Sequence, residues 1–359
     1  MFSIHDEKNL KALLEQSWEK PFRYAQIENA IYKNFITNYD DISTISNKSK
    51  ELLKQNCFFT SLTVESKATS DNGQTTKILF KTVDRLFIEA VIMRHLSGRN
   101  TLCVSSQAGC PMGCSFCATG KLWLQRNLEF YEIVDQIMEA ILILNTEWKN
   151  LRNIVYMWMW EPFLNYPNVK LSLEVACKQT KFDFSSRRVT ISTCWIISGI
   201  KQFWQDFPQT SLAISLHAPT DELRSKIMPV NITYPLNFLM KALNDYTALT
   251  NKRIFYEYIM IWGVNDSIEN ARELAVLLEW KLAHVNFIPY NPGEWVNSSG
   301  FAPTSKKRIQ EFQQILEKVW IASTIRHTMW DDIDAACGQL ALKNSKRYSK
   351  EKISLTLIN

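Results

Sequence analysis

"TLCVSSQAGCPMGCSFCATGK" occupies residues 101–121, and its reading decides the fold. "TLCVSS" is a short apolar stretch with the makings of a buried strand. It runs into a loop that spaces Cys110, Cys114 and Cys117 as C-x3-C-x2-C. The next segment, "EFYEIVDQIMEAILIL", repeats apolar residues at three and four, the period of a helix packed on one face. Strand, loop and helix make one β/α unit, and the pattern continues. "NIVYM" precedes a helix over 167–178, "RVTIS" one over 197–206, and "SLAISLH" helices near 220 and over 235–249. "RIFYEYIM" leads to a helix over 267–279, "HVNFIPY" to one over 304–319, and "ASTIRH" is the last strand. Repeated β/α units predict a parallel sheet with right-handed crossovers. Ligand sites in such sheets lie at the carboxyl ends of the strands, where the cysteine loop also falls.

A structural zinc site is the plain reading of clustered cysteines. It takes four ligands, usually as two pairs. No second pair exists here, because the cysteines at 57, 103, 177, 194 and 337 stand singly. Three thiolates on one loop can instead hold three irons of a 4Fe–4S cube. Most such clusters are held by four cysteines, so a fourth iron left open implies catalysis on a bound molecule.

Composition bounds the rest. The chain has 359 residues, 46% of them hydrophobic, enough for one large α/β unit and a smaller one. No apolar run approaches the roughly 20 residues that span a bilayer. "MFSIHDEKNLKALLEQ" lacks a signal-peptide core. No membrane partner and a cytoplasmic location are therefore expected, in keeping with clustered rather than spread cysteines. The net charge of +5 permits a nucleic-acid partner without demanding one. Residues 1–58 read as a helical domain, through "EKNLKALLEQ", "RYAQIENAIYKNF" and "YDDISTISNKSKELLKQ". Residues 59–98 change to strand-like segments around the turn Asn72-Gly73, a β-hairpin extension. The β/α core covers 99–341, and 342–359 form a basic tail.

C-x3-C-x2-C after the first strand of a β/α core resembles the radical S-adenosylmethionine (SAM) superfamily. The whole cysteine string resembles the RlmN/Cfr RNA methyltransferases within it, and most closely the RlmN type. "KPFRYAQI", "RNLEFYEIVDQI", "RRVTIST", "AISLHAPTDELRSKIMPVN", "GVNDS", "HVNFIPYNP" and "DDIDAACGQLA" carry the same resemblance over residues 20–341. It implies an α/β fold: a radical SAM partial (β/α)6 TIM-like barrel with a small helical N-terminal domain and a β-hairpin extension. It further implies that Cys110, Cys114 and Cys117 ligate a 4Fe–4S cluster whose open iron binds SAM. Trp160 and Glu161, standing where the family has Gly-Glu, would contact SAM together with Ser192, Ser215, Leu216, His217 and Asn291. Cys337 would carry a methyl group, Glu89 would be the base, and Cys103 would release the product by a disulfide with Cys337. Taken alone, Cys337 would read as a buried small hydrophobe, Glu89 as a solvated strand residue and His217 as structural. Cys57, Cys177 and Cys194 read as packing residues.

The implied reaction is methylation of carbon 2 of an adenine in 23S rRNA and of tRNA adenine 37, with two SAM per turnover. Adenine carbon 2 is electron-poor and offers no nucleophile to a methyl donor, so a radical route suits it. The target base must leave its stack. A flavodoxin-type electron donor and a monomeric state are expected. Arg187-Arg188 and the tail from Lys343 to Lys352 are candidates for phosphate contact, against the plainer reading of solvated charge. Two other readings stand beside this one. One is methylation at adenine carbon 8, the Cfr-type outcome. The other is a non-catalytic, zinc-stabilised RNA-binding protein or an inactivated paralogue.

One feature resists the family pattern. The chain has 12 Trp against 10 Gly, where average usage is about 7% glycine. The family's "MGMGEP" is "MWMWEP" here, and Trp18, Trp123, Trp195, Trp280, Trp320 and Trp330 also stand at glycine-like places. Trp148, Trp204, Trp262 and Trp295 fall where turns or loops would take glycine. Overpacking costs roughly 1–3 kcal/mol per site, and a positive φ a further ~1–2 kcal/mol. Several such sites would use up most of a typical ~5–15 kcal/mol stability. The expectation is a gene whose UGA codon is read as glycine. The chain as written should fold poorly or bind SAM weakly.

Overall fold

In the computed structural model, which describes residues 1–157, 159, 161–194, 196–291 and 300–326, ten strands form one sheet in chain order. They are β1 (Leu62–Thr69), β2 (Thr75–Thr82), β3 (Phe87–Arg94), β4 (Asn100–Val104), β5 (Leu151–Tyr156), β6 (Val189–Thr193), β7 (Ser211–Ser215), β8 (Ile254–Met260), β9 (Ala283–Pro289) and β10 (Ala322–Ile325). β1 to β4 pair antiparallel, and β4 to β10 pair parallel. Helices Phe130–Thr146, Tyr166–Cys177, Ile197–Asp206, Leu236–Thr250, Ile268–Leu278 and Lys306–Glu317 connect the parallel strands. That makes six β/α units and a closing strand, the expected partial barrel. Helix ends differ from the sequence reading by one or two residues. Ser267 and Ser305 set two of the starts by accepting an amide of the first turn.

The 59–98 segment is more than a hairpin. Its three strands form a meander whose last member, β3, pairs with β4 through Val91↔Cys103 and Ile92↔Leu102. The extension thereby joins the main sheet, and the backbone groups of β3 are satisfied by core backbone instead of water. Alternation then sorts the side chains. Ile88, Ala90 and Ile92 of β3, with Leu102 and Val104 of β4, pack into the main core with Ile133, Ile137, Ala140 and Leu144 of helix Phe130–Thr146. The residues between them face the other way.

At the N-terminus, helices Glu7–Gln16, Phe22–Tyr32 and Asn47–Asn56 enclose Leu10, Leu14, Ile27, Ile31 and Leu53. The third helix begins only at its Ser46 cap; "YDD" before it makes a separate short turn. This small core closes against Val134, Met138 and Val175 of the β/α helices. Asp135 reinforces the seam. It accepts from the Ser61 amide (2.7 Å), the Ser61 hydroxyl (2.6 Å), the Thr60 hydroxyl (3.2 Å) and His5 Nε2 (3.2 Å). His5 in turn bonds the Tyr32 hydroxyl at 2.7 Å. Trp204, expected at a turn or loop, lies inside helix Ile197–Asp206 and packs near Tyr246.

Replacing Asp135 by Ala removes the acceptor of the buried Ser61 amide and hydroxyl and of His5 Nε2, which costs about 1–3 kcal/mol or more. Urea denaturation of Asp135→Ala should show at least that loss. A change below about 0.5 kcal/mol would mean the seam does not depend on this carboxylate.

Candidate active site

The cysteine loop leaves β4 and is pinned at its base. The Ser106 and Gln107 amides both donate to the Met159 carbonyl (2.7 and 2.9 Å), and Asn165 Nδ2 donates to the carbonyls of Ser106 and Leu128. At Gly109, φ is +82°, and a Cβ would stand 1.7 Å from the Trp123 carbonyl oxygen, so only glycine fits. Beyond it the Cys117 amide bonds the Cys114 carbonyl (3.1 Å), and the Ser115 amide bonds the Ile227 carbonyl (3.0 Å). Cys110 is buried; Cys114 and Cys117 are half-buried. Burial pushes all three thiols up, and the neighbouring Cys117 adds to the rise at Cys110 and Cys114. A bound cation would favour the thiolate forms that burial opposes here. Among the described residues no three His, Cys, Asp or Glu are disposed to hold a single metal ion. That does not conflict with a cube, in which each cysteine grips a different iron.

Glu161 follows β5 and is fully buried. Its Oε1 accepts from the Phe163 amide (3.1 Å) and the Thr193 hydroxyl (2.8 Å). Its Oε2 accepts from the Cys194 amide (2.9 Å) and the Cys194 thiol (3.0 Å). Burial raises its pKa, against the pull of these donors. A carboxylate has about four acceptor sites, so the protein itself fills this one. The thiol is the weakest of the four donors and the readiest to yield to a ligand. Cys194, read from sequence as a packing residue, does pack, with Ala218, Ile227 and Met228, and it also bonds Glu161.

Ser192 lies at the end of β6; its buried Oγ has no hydrogen-bond partner among the described residues. Ser215 ends β7, and Leu216 and His217 follow it, their amides donating to the Glu257 carbonyl (3.1 and 3.2 Å). His217 has φ +59° and meets the Phe116 ring edge-on at 5.0 Å, which brings it to the cysteine loop. Its Nδ1 accepts from the Ile259 amide (3.0 Å), so the ring is neutral with its proton on Nε2. Asn291, half-buried, lies just past β9. Cysteine loop, Glu161, Ser192, Ser215, Leu216, His217 and Asn291 all sit at carboxyl ends of parallel strands. Trp160 and Cys337 lie outside the described residues. Arg187 and Arg188 are exposed just before β6, at the amino ends and thus away from the site.

Glu89 and Cys103 share a face. Val91 pairs with Cys103, and Glu89 is two residues from Val91, so all three point the same way, opposite to helix Phe130–Thr146. Glu89 is fully buried, with Lys77 Nζ at 3.7 Å from its Oε2. Burial pushes the Cys103 thiol up to about 12, against the pull of Arg326. Arg326 also pairs with Glu257 (3.0 Å), which accepts from Asn286 Nδ2 (2.9 Å). All seven described cysteines are free.

The bonds that Arg224, Glu257, Asn286 and Arg326 make near these residues were not legible in the sequence. One charge among the four of "DELRSKI", or the single one of "FYEYIM", reads as surface until the fold buries it. Among the described residues, no helix is long and apolar enough to cross a membrane.

Residues 104–275 match the Radical SAM superfamily model. The chain is 40% identical over 95% of its length, and 92% of the relative's, to the "Probable dual-specificity RNA methyltransferase RlmN" of Geobacillus kaustophilus. It is 39% identical to the protein of the same name from Thermoanaerobacter sp., over 93% of this chain and 94% of that one. A crystal structure of a radical SAM methyltransferase from Sphaerobacter thermophilus superposes with a TM-score of 0.90 at 38% identity, covering 94% of this chain and 99% of the other.

Burial, helped by Arg224 and Arg326, lowers the His217 pKa from 6.5 to about 3. The unfolded chain therefore takes up a proton that the folded one refuses, and stability falls as pH drops from 6.5 towards 3. His217→Asn keeps an acceptor for the Ile259 amide and cannot protonate. Between pH 6 and 5 the unchanged chain should lose roughly 1 kcal/mol more per pH unit than the variant. Parallel denaturation profiles would refute this.

Proposed function

The chain belongs to the RlmN family of radical SAM RNA methyltransferases, and from that premise we propose that it methylates adenine carbon 2 in 23S rRNA and in tRNA at adenine 37. The family implies a 4Fe–4S cluster and SAM. Cys110, Cys114 and Cys117 would hold the cluster. Ser192, Ser215, Leu216, His217 and Asn291, with Trp160 and Glu161, would line the SAM site. The unpartnered Ser192 hydroxyl and the replaceable Cys194–Glu161 contact support that fit. When bound, cluster and SAM supply the radical that removes a hydrogen atom from an unactivated methyl group, two SAM being used per turnover.

The chain's own residues handle the protons and the thiols. Cys337 carries the methyl group to the adenine and holds the base covalently until release. Glu89 accepts the proton lost from the ring carbon; its burial keeps water from competing for that proton. Cys103 attacks the Cys337 sulfur, the S–S bond forming as the sulfur–methylene bond breaks, and the released methylene carbon takes a proton to become the methyl group of the departing base. A thiol with a pKa near 12 is a poor nucleophile at neutral pH, so Cys103 must give up its proton during that attack. Arg326 is the described cation that favours the thiolate. The shared face of Glu89 and Cys103 is the observation that most supports this reading. A flavodoxin-type donor, a monomeric state and a cytoplasmic setting belong to the same proposal.

The test is anaerobic reconstitution followed by mass spectrometry of the modified nucleoside. 2-Methyladenosine is expected. 8-Methyladenosine would show the Cfr-type outcome, and zinc without sulfide would show a non-catalytic protein. Glu89→Gln should lower product formation by about 10²- to 10⁴-fold, the range of a lost general base. Cys103→Ser should leave RNA covalently attached on a denaturing gel. Free methylated RNA at the unaltered rate from Cys103→Ser would overturn its role.

A further inference from the structure

Five of the seven described tryptophans have a left-handed backbone: φ is +58° at Trp18, +49° at Trp123, +56° at Trp148, +62° at Trp280 and +61° at Trp320. Only a few per cent of non-glycine residues do so, and Asn, Asp and His are the usual ones. Four of the five stand where a helix ends. At Trp18 the tryptophan amide donates to Glu15 (3.0 Å) and the next amide, Glu19, to Leu14 (2.9 Å). Trp148 repeats the pair with Asn145 (3.1 Å) and Lys149→Leu144 (2.9 Å), and Trp320 with Glu317 (3.0 Å) and Ile321→Leu316 (3.0 Å). These are the two crossed bonds of a Schellman cap, with tryptophan in the place of its glycine. Trp280 follows Glu279 (ψ 139°) in a turn closed by Lys281→Leu278 (3.2 Å), the third position of a type II turn, which also wants glycine. Trp123, with ψ 157°, enters a region that is nearly glycine's alone.

Nothing offsets the strain. Trp18, Trp148, Trp280 and Trp320 are 94–97% exposed, so four of the largest apolar side chains bury no surface. Trp204 contrasts with them: helical, half-buried and packed beside Tyr246. The strain therefore follows glycine-type positions and not tryptophan in general.

We propose that Trp18, Trp123, Trp148, Trp280 and Trp320 are glycine in the protein the cell makes, their UGA codons being read by a glycine tRNA. UGA differs from the glycine codon GGA by one base, so a single anticodon change suffices. Where Trp160 shares that codon, the residue before Glu161 is glycine too, which restores the Gly-Glu pair of the family. Two measurements decide. Peptide mass spectrometry of the protein from its own cells should find glycine at the five positions, with UGA in the gene. UGG codons, or tryptophan in those peptides, would overturn the proposal. In a heterologous host, the fourfold variant Trp18→Gly, Trp148→Gly, Trp280→Gly, Trp320→Gly should melt at a higher temperature than the chain as written, whereas Trp204→Gly should melt lower. A lower midpoint for the fourfold variant would remove the backbone argument.

Arg224 carries a separate inference. It is fully buried, and among the described residues it forms no ion pair with a carboxylate. It donates instead to the carbonyls of Cys194 (2.9 Å), Ser215 (3.0 Å) and Leu216 (3.0 Å) and to Asn231 Oδ1 (2.8 Å). A buried cation without an anion is costly. Asp221 is reached only through Asn231, which bonds both side chains, and the cysteine loop is close by: Ser115 bonds Ile227 on the same helix, and Cys114 packs with Ile227 and Cys194. We infer that Arg224 is the counter-charge of the cluster and raises its reduction potential, because a fixed positive charge favours the more negative, reduced state. This rests on the three cysteines being cluster ligands. The test is a spectroscopically monitored redox titration of the reconstituted protein. Arg224→Gln should titrate at a lower potential, while Arg224→Lys, which keeps the charge but loses most of the bonds, should stay near the unchanged protein. Equal potentials for Gln and the unchanged protein, or a Lys variant shifted downward, would overturn the inference. Absence of iron and sulfide from the unchanged protein would instead remove the cluster reading itself. Should Arg224→Gln not fold, Arg224→Met, which keeps the length and loses the charge, takes its place in the titration with the same expected downward shift.

Discussion

Two buried charges hold the carboxyl ends of β5, β6 and β7 together. Glu161, just beyond β5, takes hydrogen bonds from Thr193 and Cys194 at the end of β6. Arg224 gives hydrogen bonds to Cys194, just past β6, and to Ser215 and Leu216 at and just past the end of β7. Strand ends in a parallel sheet carry unpaired backbone groups, and a charged side chain can satisfy several at once. The same ends carry Ser192, Ser215, Leu216 and His217, so the geometry of the candidate site depends on this bracing. Loss of either side chain would leave its own buried partners open: the Cys194 amide for Glu161, and the Cys194, Ser215 and Leu216 carbonyls for Arg224.

The sheet divides its labour by face. Strands β3 and β4 send alternate residues to the helical core and the rest towards the opposite side. Glu89 and Cys103 both fall on that opposite side, Cys103 among Leu79, Val91 and Met159. The antiparallel meander matters for this reason. By pairing with β4 it brings Glu89 beside Cys103, which a free-standing hairpin could not do. Lys77, on the next strand, places a cation at the same spot.

The tryptophans show the limit of side-chain thinking. Their rings are mostly in water at the helix ends, so contacts alone would pass them as harmless. The conflict lies in the backbone, where the caps at Trp18, Trp148 and Trp320 close with the hydrogen bonds of a glycine cap. The fold is preserved around residues that locally oppose it, which is what a misread glycine would leave behind.

The β/α alternation, the cysteine spacing and the glycine-like placing of the tryptophans were all legible in the sequence. Each is a local pattern of period, spacing or turn chemistry, which neighbours along the chain determine. The partnership of Glu161 with Cys194, the burial of Arg224 and the shared face of Glu89 and Cys103 were not. Those depend on strand register and on which charged residues the fold encloses. Register is set by pairing between segments remote in sequence, and a shift of one residue would turn Glu89 to the other face.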